Sequence, residues 1–342
     1  MSRKLLVSGI LALVAIAAGC IMRRTPAAAL APYPRQELIA EIKGFQKTLG
    51  FEEDGNFQSY SEKQRALYRC YYTGKLDLPE SYGQLQLKEG SAAGCSLDEE
   101  KYDVFFYEME AEASGDAPVT EALAEAPLER LLVVVPHEDF HNQKETERAA
   151  PEIAEAASTL IGFLAAGEFA KGKYGAASDT FERLDREPRL FLEKARIVNA
   201  YFGRVSGVYS AFRAKQISRA KALERKAELF SELERECAAI APDPASFNPC
   251  PGAGNNAGLA FERTYARYYP MLYELAASRA RNVEATDVGA TDVGETDAGM
   301  TNAGAAVAVL KRLLATRPQS ELDLRRAMGE LSEEAHLRRS AP

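Results

Sequence analysis

One stretch restricts this chain more than any other: Leu131-Leu-Val-Val-Val-Pro-His-Glu-Asp-Phe-His-Asn-Gln143, an apolar run leading into a single His-Glu-x-x-His. On a helix, His137 and His141 lie one turn apart on one face, so both imidazoles reach a common Zn²⁺ while Glu138 stands beside the metal's open position. Those residue types fit the chemistry of a metal-assisted hydrolase. Zinc takes neutral nitrogen ligands at about 2.0–2.1 Å, and a neighbouring carboxylate is needed to accept a proton from water attacking a carbonyl.

The chain has only three histidines, and a chance match of this kind is expected in roughly a few chains per thousand. Pro136 removes a helical hydrogen bond at a cost of about 3 kcal/mol, so the sequence predicts a kink or a helix start near it. A catalytic zinc site uses three protein ligands. The helix expected from Glu152 to Ala166, opened by Pro151 in its first turn, supplies two candidates on one face, Glu155 and Glu152. Glu155 is preferred.

At the N-terminus, basic Met1-Ser-Arg-Lys4 precedes an apolar run from Leu5 to Ala18, the pattern of an export signal. It ends in Ala17-Ala-Gly-Cys20, which resembles the lipobox of bacterial lipoproteins. That resemblance implies a signal peptide at 1–19, lipidation at Cys20 and a stable membrane anchor of several acyl chains. Ile21, rather than an acidic residue, follows the cysteine, which by the same resemblance favours the periplasmic face of the outer membrane over the inner membrane. Residues 20–35 read as an Ala/Pro-rich tether, and 36–342 as the folded body. No later apolar run is expected to span a membrane. The net charge is −8, and no cluster of lysine and arginine interleaves with aromatics, which argues against a nucleic-acid partner.

Apart from Cys20, the chain holds Cys70, Cys95, Cys237 and Cys250. An even number in an exported chain points to two disulfides. Closeness in sequence favours Cys70–Cys95 and Cys237–Cys250, although four cysteines allow three pairings, and free buried thiols are the alternative.

Leu38, Ile42, Phe45 and Leu49 recur at helical spacing, with Gly50 placed to end that helix. Ala66–Thr73 and Tyr102–Met109 are rich in aromatic and β-branched residues and are expected to be strands of a small sheet. Ser178 to Ile240 is helical in pattern, and a proline-rich break from Ala241 to Gly252 leads through Asn255-Asn256 into another helix. Residues 286–305 carry four tandem pentapeptides, TDVGA, TDVGE, TDAGM and TNAGA, without a core-forming face, and are expected to be a flexible insertion. Helices are expected again at Ala306–Ala315 and Ser320–Leu331. The fold class is α+β: mainly helical, with a small β-sheet before the histidine helix.

The lipobox, His137-Glu-Asp-Phe-His141 with Gln143, the glutamate helix and the Asn255-Asn256 segment together resemble the bacterial family of predicted zinc aminopeptidases, from the first helix to about Tyr273. The resemblance implies a zincin-like metallopeptidase with zinc as cofactor and peptide as substrate. His137, His141 and Glu155 are then metal ligands and Glu138 the base. Tyr265, Asn255 and Asn256 are candidates to bind substrate or stabilise an oxyanion. The alternative is a lipoprotein that keeps the fold as a non-catalytic binding or structural module.

Overall fold

The computed structural model describes residues 33–61, 65–89, 95–242, 244, 254–287 and 303–340. The expected signal peptide, Cys20 and the expected tether as far as residue 32, with Cys250 and residues 288–302 of the repeat segment, lie outside the described residues. The chain begins with α1 (Gln36–Thr48) and continues through β1 (Leu67–Gly74), β2 (Gln86–Glu89) and β3 (Tyr102–Met109), with a 3-10 turn at Tyr82–Gln84 between the first two strands. A short α2 (Glu121–Glu125) precedes α3 (Leu128–His141), and the long helices α4 (Pro151–Tyr174), α5 (Asp179–Arg213) and α6 (Arg219–Ala238) follow. The last elements are α7 (Asn256–Ala266), α8 (Tyr269–Asp287), α9 (Ala303–Leu314) and α10 (Glu321–Ser340). The protein is therefore mainly helical with one small antiparallel sheet, in the order β2-β1-β3.

The histidine motif sits at the C-terminal end of α3. The helix does not start or break at Pro136, as the sequence predicts, but begins after Pro127 and runs through the proline. The lost hydrogen bond is outweighed by burial. Leu131, Leu132, Val133, Val134 and Val135 are all at most 3% exposed, and each buried aliphatic side chain contributes about 1.5–3 kcal/mol.

The helix from Pro151 continues to Tyr174, well past the expected end at Ala166. By length and composition it could cross a membrane, contrary to the expectation of no such run, yet 94% of its most apolar window is buried inside the fold. α4 is the central helix. It packs against α3, α5, α7, α8 and α9, which is why nearly every residue from Ile153 to Ala170 is apolar or small and why it lacks a strong polar face.

The sheet covers one side of the motif. β1 pairs with β3 from Leu67↔Met109 to Gly74↔Tyr102, and both strands pack on α7. The disulfide Cys70–Cys95 ties central strand β1 to the segment beyond β2, with Cα atoms 5.5 Å apart. Cys237 is also disulfide-bonded, so the free-thiol alternative fails for these three cysteines. The helices reach into the two ends of the repeat segment, since α8 runs to Asp287 and α9 starts at Ala303.

The cross-link closes a loop of 25 residues, for which loop-closure entropy gives roughly 3.5 kcal/mol. A Cys70→Ala/Cys95→Ala double variant should lose about that much in a urea titration, while far-ultraviolet circular dichroism in buffer stays mainly helical.

Candidate metal centre

The centre is built where α3 and α4 approach most closely. A Cβ on Gly162 would lie 2.9 Å from the Val133 carbonyl oxygen and 3.2 Å from the His137 Cβ, so only glycine lets the two backbones sit this close. Two turns before Gly162, the same face of α4 carries Glu155. Its carboxylate is thereby brought to the two imidazoles.

His137, Glu138 and His141 offer donor atoms that all lie within 4.8 Å of one another, a group able to hold a metal ion. Glu155 fits more tightly than Glu138. The two imidazole Nε2 atoms are 3.3 Å apart, and Glu155 Oε2 is 3.4 Å from His137 Nε2 and 3.1 Å from His141 Nε2. Donors about 2.0–2.1 Å from a tetrahedral ion stand roughly 3.3–3.4 Å apart, so these three atoms form one face of such a tetrahedron. Glu138 Oε1 is farther out, 3.9 Å from His137 Nε2.

Charge favours a cation here. Burial pushes the Glu138 carboxyl up from its ordinary range, against the attraction of the two histidines. Burial would do the same to Glu155, but the charge of His141 and hydrogen bonds from both imidazoles hold that carboxyl well below the usual carboxylate range. For His141, burial works against protonation and the neighbouring Glu155 carboxylate outweighs it, so the imidazole is shifted up. Two carboxylates thus converge on two histidines in a largely buried site, where a divalent cation would supply compensating positive charge.

Further residues hold these side chains in place. The Tyr82 hydroxyl donates to Glu155 Oε1 at 2.7 Å. On the far side of α3, Asp139 pairs with Lys43 of α1 at 2.8 Å, and Lys43 also reaches Asp54 at 2.6 Å. Burial pushes the Asp139 carboxyl up to about 7 even with Lys43 beside it. Gln143 closes the end of α3: its Nε2 donates to the Asp139 carbonyl at 3.0 Å, and its Oε1 accepts from the Glu52 amide at 2.8 Å.

The centre opens into a cleft of about 440 Å³ whose lining includes Arg69, Tyr71, Tyr82, Glu112, Phe261 and Tyr265. The sequence candidates separate clearly. His137, Glu138, His141, Glu155 and Tyr265 all line this cleft, and the Tyr265 ring is 6.3 Å from that of His137. Glu152 does not line it. Asn255 and Asn256 do not line it either, which corrects the expectation that they contact substrate. Asn255 caps α7, its side chain accepting from the Gly258 amide at 3.1 Å. Asn256 is fully buried, where Nδ2 donates to the Lys75 and Asp77 carbonyls and Oδ1 accepts from Tyr209 at 2.7 Å. Tyr82 is the residue that sequence reading missed. It lies in Leu78-Pro-Glu-Ser-Tyr-Gly83, a segment that composition marks only as a turn.

No protein-family model, no curated protein and no solved structure matches this chain.

After equilibration with zinc and dialysis, Glu155→Ala should retain far less metal than the wild type by elemental analysis, and Glu152→Ala should retain the wild-type amount. Gly162→Ala should cost about 1–3 kcal/mol of stability from overpacking and lower metal retention as well, because the added methyl group pushes α4 off α3.

Proposed function

We propose that this protein is a zinc-dependent peptidase of zincin-like fold, with aminopeptidase activity as the specific form suggested by its sequence resemblance. The observation that carries the reading is the set of three donor atoms, Nε2 of His137, Nε2 of His141 and Oε2 of Glu155, at mutual separations of 3.1–3.4 Å. Glu138 stands beside them at the head of the cleft. A structural zinc site uses four protein ligands, whereas three ligands with a free carboxylate alongside are the arrangement of hydrolytic sites.

When bound, zinc supplies Lewis acidity toward a substrate carbonyl and makes water a better acid. Glu138 accepts the proton of the attacking water and delivers it to the leaving amine. Its burial suits both halves of that task, since a carboxylate in a poorly solvated position holds a proton more firmly than one in water. Tyr265 lines the cleft, its ring 6.3 Å from that of His137, and is the proposed donor to a developing oxyanion. Burial keeps its hydroxyl protonated far above the ordinary tyrosine range, so it donates at any physiological pH. The rings of Tyr71, Tyr82, Phe261 and Tyr265 form an apolar wall, suited to holding a peptide side chain next to the cut bond.

In this reading the mature chain begins at Cys20, is held to the membrane by acyl chains there, and acts on peptides at the periplasmic face of the outer membrane. An acidic net charge of −8 gives anionic lipid no overall attraction to the body, so in this reading attachment rests on the anchor.

Glu138→Gln keeps the shape of the side chain and removes the base. It should bind zinc as the wild type does and lose at least about 100-fold in kcat/KM, measured on a peptide library digested with and without chelator and followed by mass spectrometry. Full activity in the glutamine variant would refute the proposed base. A metal-loaded wild-type protein that cuts nothing would point instead to a non-catalytic binding module.

A further inference from the structure

Resting on the metal reading above, we infer that Tyr82 is a positioning residue that holds Glu155 to the metal through one oxygen and so keeps a coordination position free for water. The two oxygens of Glu155 have separate partners. Oε2 faces both imidazoles, at 3.4 and 3.1 Å, while Oε1 accepts the Tyr82 hydroxyl at 2.7 Å. A carboxylate with both oxygens available can take two positions on one ion, as carboxylates do on calcium. Here the second oxygen is already engaged by a strong donor to an ionised acceptor.

Tyr82 is itself fixed from below. Its backbone amide donates to Thr264 Oγ1 at 2.8 Å, and the Thr264 hydroxyl donates to the Ala260 carbonyl at 3.1 Å within α7. Thr264 is fully buried. The Tyr82 ring packs against Tyr71, Phe261 and Tyr265 at centroid distances of 5.9–6.3 Å. A chain of contacts therefore runs from α7 through the 3-10 turn to the carboxylate on α4. It links two parts of the sequence that share no recognisable motif.

Tyr82→Phe removes only the hydroxyl and keeps the ring in its stack. The test uses the full chain as wild type, Tyr82→Phe and Thr264→Val, each first checked for folding by circular dichroism and thermal melting without metal. Zinc affinity is then measured by competition with a chromophoric chelator, and the visible spectrum is recorded after loading with Co²⁺, whose absorption weakens as its coordination number rises. The expected result is zinc affinity lowered about 10–100-fold in Tyr82→Phe, with weaker cobalt absorption than the wild type. A smaller change in the same direction is expected in Thr264→Val. Residues that merely pack would alter the melting temperature without altering the cobalt spectrum. If both variants fold and match the wild type in zinc affinity and cobalt spectrum, the inference is overturned while the metal reading stands. Should Tyr82→Phe not fold, Thr264→Val decides in the same terms. If the wild type takes up neither ion, the metal reading falls and this inference with it.

Discussion

The backbone contact between α3 and α4 at Gly162 is the constraint on which the rest depends. Two helices normally pack with axes 8–10 Å apart, the spacing being set by the side chains between them. With no side chain at Gly162 and the Val133 carbonyl directly opposite, this pair comes close enough for a carboxylate on one helix to meet imidazoles on the other. Everything around the pair serves to keep it there. α4 is enclosed by helices on several sides, and α3 is tethered to α1 through Asp139 and Lys43.

Burying charged groups so near the core is costly, and the fold offsets that cost by pairing them. Lys194 and Glu262 meet at 2.7 Å with almost no exposure. Asp103, 2% exposed, takes Lys75 on one oxygen and Lys226 on the other. Arg130 of α3 engages both oxygens of Glu110. Such pairs add little net stability, but breaking one strands a charge away from water. They bring the sheet, α3, α5, α6 and α7 to one relative placement, so the cleft wall and the helix that carries the two histidines are in register.

Much of this was legible in the sequence, for identifiable reasons. The histidine motif has a fixed helical spacing, so the convergence of His137 and His141 follows from helix geometry alone. β3 was readable from its aromatic and β-branched residues, and β1 to within a residue, while β2, with Gln86, Lys88 and Glu89 among its four residues, carries no such signal. Glu155 and Glu152 share a helix face, and only the crossing of α4 over α3 separates them. Pro136 misled because local cost is visible in sequence and the compensating burial is not. The Asn255-Asn256 pair was misassigned because the same amide groups that contact a substrate also cap helices and satisfy buried carbonyls. Tyr82 was invisible because its partner is 73 residues away in the chain and nothing local marks it.

The disulfide on β1 has a consequence for how the molecule matures. Arg69 and Tyr71 flank Cys70 and both line the cleft, so the bridge secures the strand that carries them. α3 and α4 contain no cysteine. The close pairing of α3 and α4 therefore does not wait on oxidation, whereas the opposing wall gains its cross-link only after it. The two sides of the cleft thus rest on two different chemistries, close helix packing on one and thiol oxidation on the other, and the second is available only where thiols can be oxidised.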